Sequence, residues 1–215
     1  MTLRKIIPWE TKGFTLIELL VTIGILAVLA TVVVLVLNPA ELFRQARDSR
    51  RLQDLGSING AINLYLAFSS NPDLDGTQSN CNAAGGLGSA ACTCSLVFWA
   101  SAPNAEEQFA AVPVWAYVTP STNAAVNGTG WIPMEFSTLI EFGGSPLSSL
   151  PVDPTNSVAG TARNELVYKY RCNNAGGVVE YELNANMESV KYSGVEVDDG
   201  GSYTDVYEIG NKLNI

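Results

Sequence analysis

The sequence contains no histidine, and this removes the commonest general base and the commonest metal ligand of proteins. Charged residues are scarce too, at 15% of the 215 residues, whereas an average soluble protein has roughly 25%. The chain lacks a G-x-S-x-G stretch, and no Lys-Ser or Lys-Thr follows its glycine-rich segment, so it offers neither a nucleophile elbow nor a phosphate-binding loop. These absences argue against an enzyme.

Positive charge is in the minority, with 12 basic and 21 acidic residues and a net charge of -9. Nucleic-acid-binding modules usually carry a basic face, so no nucleic-acid partner is expected.

Cysteine is also scarce, and Cys81, Cys92, Cys94 and Cys172 all lie on the C-terminal side of the main apolar segment. An even number of cysteines in a segment that is expected to be exported predicts disulfides. Cys92 and Cys94 are too close to bridge easily, so each is expected to pair with Cys81 or Cys172. A zinc site at the C-x-C pair is the less favoured alternative, because the other two cysteines are isolated and no histidine is available.

What the sequence does contain is one long hydrophobic run, Phe14 to Leu37, with Glu18 as its single charge. At about 1.5 Å per residue, a helix of this length can cross a bilayer core of about 30 Å. A short basic segment, 1–13, precedes it, and the apolar run does not end in the A-x-A-like site of an ordinary secretory signal. We therefore predict a leader at 1–13 and a membrane-spanning helix at 14–37.

Asn38-Pro39 interrupts the apolar run, because proline cannot donate a helical hydrogen bond. Apolar residues then recur at helical spacing, which predicts an amphipathic helix over 38–70. A polar globular domain is expected over 71–215. It contains short β-prone runs, at Leu96–Ala100, Val112–Val118, Leu166–Arg171, Val178–Leu183 and Ser189–Tyr192.

Glu18 is unusual, because a carboxylate in a membrane segment costs about 2.5–3.5 kcal/mol on insertion scales. One interpretation places it near enough to the helix end to reach headgroup water. The other gives it a partner charge, and the local sequence offers only the new α-amino group that cleavage after Gly13 would create at Phe14. Pairing with the amine of a neighbouring subunit is easier than pairing within one molecule, and it would set the axial register of an assembly.

The stretch Lys12-Gly13-Phe14-Thr15-Leu16-Ile17-Glu18-Leu19-Leu20 resembles the leader-peptidase site of type IV pilins and type II secretion pseudopilins. In that family a basic leader ends in Gly, Phe follows, Glu comes four positions later, and a long apolar helix continues. The resemblance implies cleavage after Gly13, N-methylation of Phe14 and an assembly role for Glu18. It implies an α+β, pilin-like fold, in which a long N-terminal helix precedes a globular domain with a small antiparallel sheet.

The resemblance also implies a structural filament subunit that requires no cofactor. The precursor would be a single-pass protein of the inner (cytoplasmic) membrane, and the mature chain would enter a periplasmic or cell-surface filament. Expected partners are a prepilin peptidase/methyltransferase, an inner-membrane assembly platform, membrane lipid, and copies of itself or other pilins and pseudopilins. The alternative is a membrane-anchored binding protein that never polymerises, which leaves Gly13, Phe14 and Glu18 unexplained.

A further resemblance, to the C-terminal part of major pseudopilins, covers Leu150–Pro154, Met187–Ser189 and an acidic tail. In the tail, Asp198, Asp199 and Asp205 flank a Gly-Gly turn. Calcium takes six to eight oxygen ligands, and major pseudopilins bind calcium in a comparable loop, so these aspartates are a possible Ca²⁺ site. The alternative is a solvated acidic turn.

A basic strip follows the apolar run, at Arg44, Arg47, Arg50 and Arg51. We predict a solvated helix face with local ion pairs such as Arg50–Asp54. Contact with filament neighbours or lipid headgroups is the alternative.

Overall fold

The computed structural model describes residues 13–69, 72–74, 76, 97–102, 117–120, 123–139, 143–158, 165–175, 178–213 and 215. The chain divides into two compact units, Met1–Leu42 and Phe43–Ile215. Two long helices come first, α1 (Leu16–Leu37) and α2 (Pro39–Phe68).

The junction between the two helices is a single residue, Asn38, with φ 40° and ψ 73°. Asparagine tolerates this left-handed region better than most residues. Pro39 suits the first position of α2, since the N–H that proline lacks would have no helical partner there. The Asn38 carbonyl accepts a hydrogen bond from the Glu41 amide (3.0 Å) and so begins the hydrogen-bond ladder of α2. The interruption predicted at Asn38-Pro39 is therefore present.

The second unit contains a five-stranded sheet in the order β2-β1-β3-β4-β5. Its strands are β1 (Val97–Ala100), β2 (Tyr117–Pro120), β3 (Lys169–Ala175), β4 (Val178–Ala185) and β5 (Tyr207–Gly210). The pairs β1–β3, β3–β4 and β4–β5 are antiparallel, whereas β1 and β2 run parallel. The predicted α+β, pilin-like class with a small antiparallel sheet is confirmed. The parallel pairing of β1 with β2 was not predicted.

Several details of the strands differ from the prediction, and β2 ends at Pro120 and not at Val118. β3 continues past Arg171, where the predicted run ends, because its residues pair with β4 as far as Ala175 opposite Val178. The segment 189–192 forms a turn before a short helix, α3 (Ser193–Asp198), since the Ser189 amide and hydroxyl donate to Asp48. β5 was not predicted.

One face of the sheet packs against α2. The shared core contains Leu55, Ile58 and Ile62 from α2 and Tyr170, Cys172, Tyr181 and Leu183 from β3 and β4. Full burial of such an aliphatic side chain contributes about 1.5–3 kcal/mol, so this stripe accounts for much of the stability of the unit. Trp131, also fully buried, donates from Nε1 to the Pro151 carbonyl (2.8 Å).

Arg51 occupies the centre of a buried ion cluster. Its Nε and Nη2 donate to the two carboxylate oxygens of Asp153, at 2.6 and 2.9 Å. Nη1 donates to Asp48 (2.7 Å), and Nη2 also lies 2.6 Å from Glu188. Burial alone would lower the pKa of Arg51, but Asp153, Glu188 and Asp48 outweigh it and raise that pKa. The guanidinium therefore stays charged while it joins α2 to two distant loops.

The prediction that the arginines form a solvated face is wrong for Arg51, whose side chain is fully buried. Its partners Asp153 and Glu188 lie far away in sequence, beyond the reach of a pattern based on i,i+3 and i,i+4 spacing. The local pair Arg50–Asp54 is present, at 3.5 Å. The segments that bring Asp153 and Glu188 are two of those that resemble major pseudopilins.

We expect Arg51→Met to lower the free energy of unfolding by about 3–5 kcal/mol, because it leaves Asp48 and Asp153 buried without their cation. The matched control is Arg50→Met, whose side chain is 64% exposed. That change should cost about 0.5 kcal/mol or less. Urea unfolding of the full chain in detergent measures both, and equal losses for the two variants would contradict the role given to Arg51.

Candidate functional site

The candidate site begins with Gly13 and Phe14, which precede α1 in extended, exposed chain. Phe14 is 80% exposed, which is unusual for a large aromatic side chain. A Cβ atom added to Gly13 would meet no atom within 4 Å. Nothing in the packing of the described residues therefore requires glycine at position 13.

Thr15 and Glu18 form a capping box at the start of α1. The Thr15 hydroxyl oxygen accepts from the Glu18 amide (3.3 Å), and Glu18 Oε2 accepts from the Thr15 amide (2.9 Å) and hydroxyl (2.7 Å). These bonds satisfy amide donors that an isolated helix start leaves without partners. Glu18 thus has a local structural role that our sequence analysis missed, although the Thr-x-x-Glu spacing is its signature.

The surface of α1 is apolar on all sides, and none of its 22 residues is buried. The hydroxyls of Thr22 and Thr31 donate to carbonyls of the preceding turn, those of Leu19 and Ala27, both at 2.8 Å. Polar groups inside the run are therefore satisfied within the helix, as hydrocarbon surroundings require. Within the part of the chain that the structure describes, α1 is the one helix long and apolar enough to cross a membrane.

Comparison with protein families gives a match to the prokaryotic N-terminal methylation motif over residues 11–34. The chain carries this methylation motif. It indicates a type IV pilin-like precursor, and pilins with such a motif interact in general with other pilins and with a prepilin peptidase. No curated protein and no solved structure matches the chain.

The methylation motif includes Gly13, Phe14, Thr15 and Glu18 and extends over most of α1. The capping box and the exposed apolar helix therefore lie inside one recognised segment. Cleavage after Gly13, methylation of Phe14 and the assembly role of Glu18 stay predictions.

The three aspartates of the acidic tail surround the end of α3. Asp198 is the last residue of α3, Asp199 follows it, and Asp205 precedes β5. Asp199 accepts from the amides of Gly201 (2.8 Å) and Glu208 (2.7 Å), so both of its oxygens already hold the loop. Among the described residues, no group of three or more His, Cys, Asp or Glu side chains is arranged to hold a metal ion. Ca²⁺ binding at Asp198, Asp199 and Asp205 stays a prediction.

A groove of about 440 Å³ lies beside this loop. Its lining combines acidic residues, among them Asp198 and Asp199, with the apolar Val195, Ile209 and Leu213. Its charge would favour a cationic ligand over an anionic one.

The four cysteines are only partly placed. Cys172 is buried in β3, within the core, and stands opposite Tyr181 of β4. Cys81, Cys92 and Cys94 lie outside the described residues, so the disulfide pairing stays a prediction.

Glu196 connects the acidic loop to the Arg51 cluster. It is 7% exposed, and its Oε1 accepts from the Met187 amide (2.8 Å). Burial raises the pKa of Glu196 to about 7, and the negative charges of Asp48, Asp205 and Asp199 add to that effect. Its ordinary value is about 4.3. The folded chain therefore binds a proton here that the unfolded chain has already lost near neutral pH.

We expect Glu196→Gln to stabilise the chain at pH 8 relative to the wild type and to change little at pH 4. The pKa of Glu196 is higher in the folded chain than in the unfolded chain. Its protonation therefore contributes fully to the free energy of unfolding below about pH 4. It is lost as the pH rises through about 7. Thermal unfolding of both proteins at the two pH values tests this, and an advantage of the variant that is equal at both values would contradict it.

Proposed function

We propose that this chain is a structural subunit of a type IV pilus-like or type II secretion pseudopilus filament. It is made as a membrane-anchored prepilin, cleaved after Gly13 and polymerised through α1. The observation that carries the proposal is the methylation motif at residues 11–34 on a helix with no buried residue. Proteins of this type are structural subunits, which agrees with the lack of catalytic motifs in the sequence.

The exposed surface of α1 needs a partner at every stage. Its large hydrophobic side chains are about half to four-fifths exposed, for example Ile23 at 56% and Leu16 at 81%. Monomeric soluble proteins rarely expose a continuous apolar surface of this extent. Lipid would cover it in the precursor, and the α1 helices of other subunits would cover it in the filament.

Glu18 would determine the stagger between neighbouring subunits. In one chain its carboxylate lies at the first turn of α1, hydrogen-bonded to Thr15. Cleavage after Gly13 would place a new α-amino group on Phe14, and a copy shifted along the filament axis could present that amine to Glu18. A buried ion pair adds little net stability, but a misplaced charge in an apolar core is costly, so the pair would select one register.

We expect Gly13→Ser to leave uncut precursor in the membrane when the full chain is expressed with a prepilin peptidase. An added Cβ at Gly13 meets no atom within 4 Å, so a failure would report recognition by the peptidase and not misfolding. Gly24→Ala is the matched control, because Gly24 also has free space around it and lies inside α1. N-terminal sequencing should find Phe14 first in the wild type and control, and efficient maturation of Gly13→Ser would contradict the assigned cleavage site.

We expect Glu18→Gln to be inserted and cleaved normally but to give few filaments, because glutamine keeps an oxygen for Thr15 and removes only the charge. Thr15→Val is the matched control, since it removes the capping hydroxyl, at a cost of about 1 kcal/mol, and keeps Glu18 charged. Electron microscopy of sheared filaments, with immunoblots of the membrane fraction, measures assembly and insertion. A normal yield from Glu18→Gln together with a poor yield from Thr15→Val would assign Glu18 a capping role only.

N-terminal sequencing and electron microscopy of the wild-type chain also distinguish a filament subunit from an anchored binding protein that never polymerises. The filament subunit starts at Phe14 and appears in filaments, whereas the anchored protein keeps its leader and stays in the membrane. A wild-type chain that retains Met1 and is absent from every filament would overturn the proposal.

A further inference from the structure

The sheet has a second buried face, and that face is polar. Along each strand, side chains alternate between the two faces, so the neighbours of the core tyrosines point away from α2. They are Lys169 and Arg171 in β3, Glu182 and Asn184 in β4, and Glu208 in β5, each no more than 3% exposed. Lysine, glutamate and arginine are almost never fully buried without a specific partner, so this layer requires an explanation.

The register places Lys169, Asn184 and Glu208 in one row across three strands. Lys169 stands opposite Asn184, and Asn184 stands opposite Glu208. Cβ atoms of directly opposite residues in antiparallel strands are about 4.5–5.5 Å apart. The four-carbon lysine side chain can therefore bring its amine to the Asn184 amide.

Asn184 is fully buried, and among the described residues neither its Nδ2 nor its Oδ1 makes a hydrogen bond of good geometry, although its amide lies close enough to Glu182 to lower the pKa of that carboxyl. Glu182 Oε1 and Glu208 Oε1 likewise make no hydrogen bond of good geometry among the described residues, although the two carboxyl groups interact with each other. The desolvation of a buried amide without hydrogen bonds is not compensated and destabilises the fold. Such a group in a native structure therefore indicates strain, a bound water molecule or a role in a reaction. Here the strand register places the amide opposite Lys169, whose side chain carries a primary amine, the nucleophile that can displace the amide nitrogen.

Carboxyl groups lie on both sides of this amine–amide pair. Glu165 Oε2 is 2.7 Å from Lys169 Nζ, and both side chains are buried. A proton can pass from the ammonium to Glu165 within that pair without a change in net charge. Burial raises the pKa of both Glu182 and Glu208, so this second pair retains a proton beside Asn184 near neutral pH.

Arg171 and Asp199 are two further charged residues close to this row in the described part of the chain. Arg171 stands opposite Glu182 and donates from Nη1 to the Ile215 carbonyl (3.1 Å), and Asp199 accepts from the Glu208 amide. Neither can attack the amide, because a guanidinium holds its proton and a carboxylate is a weak nucleophile.

We propose that Lys169 and Asn184 form an intramolecular isopeptide bond that joins β3 to β4 covalently. Lys169 first gives a proton to Glu165, and Nζ then attacks Cγ of Asn184. A carboxyl proton of the Glu182–Glu208 pair neutralises the oxygen as charge develops on it. The new Cγ–Nζ bond forms, the Cγ–Nδ2 bond breaks, and ammonia leaves with a proton as ammonium. One ammonium group and one amide thus give a secondary amide and one ammonium ion, with no other reactant.

Mass spectrometry of the purified full chain tests the bond. We expect an intact mass lower than that of the processed sequence by one ammonia molecule. Trypsin should no longer cut after Lys169, and a branched peptide should join residues 164–171 to 172–191. Lys169→Arg and Asn184→Ala should each restore the full mass, and the branched peptide of the wild type provides a readout that does not depend on how the variants fold.

A succinimide at Asn127-Gly128 would lose the same mass, so it needs a separate control. Asn127→Ala should keep the loss of ammonia, and hydroxylamine, which cleaves succinimides, should leave the wild-type mass unchanged. A full wild-type mass, or a loss of ammonia that maps to Asn127, to Asn59 or to any site other than Lys169 and Asn184, would overturn the proposal. Glu208→Gln should leave a larger fraction of the chain unlinked, since glutamine has no carboxyl proton to give.

Discussion

The Arg51 guanidinium is the group on which the second unit depends most. It donates to Asp48 in its own helix and to Asp153, and it contacts Glu188. The same Asp48 carboxylate accepts from the amide and hydroxyl of Ser189. Because these partners come from three separate parts of the chain, the charges are satisfied only when all three have reached their native positions. The cluster therefore favours one arrangement of the loops around α2, in addition to any stability it contributes.

The two units differ in whether their charged side chains have partners of opposite charge among the described residues. In the second unit the buried Arg51 and Lys169 are paired with carboxylates of the same chain. In α1 the only charge is Glu18, and its described partner is the neutral Thr15. A carboxylate at the end of an exposed apolar helix thus lacks an opposite charge in the described part of its own unit. This contrast agrees with a folded domain that is complete in itself and a helix that is completed by other molecules.

Structural features that depend on neighbouring residues could be predicted from the sequence, whereas features that depend on residues far apart in the chain could not. The apolar run, the break at Asn38-Pro39 and the capping spacing of Thr15 and Glu18 are all local, although we overlooked the last. Burial of Arg51 was missed because Asp153 and Glu188 cannot be recognised as its partners from sequence spacing. β5 was missed because Tyr207–Gly210 is short and ends in glycine, so packing against β4 and not intrinsic preference makes it a strand. The row of Lys169, Asn184 and Glu208 likewise becomes visible only once the strand register is known.

The break at Asn38 has a mechanical consequence. Proline at position 39 cannot donate to the carbonyl of Leu35, and the Asn38 carbonyl starts a new series of bonds in α2. The two helices therefore have separate hydrogen-bond ladders, and fraying at the end of α1 does not propagate directly into α2. Turns lost and regained at the C-terminal end of α1 would leave the hydrogen bonds of α2 in place.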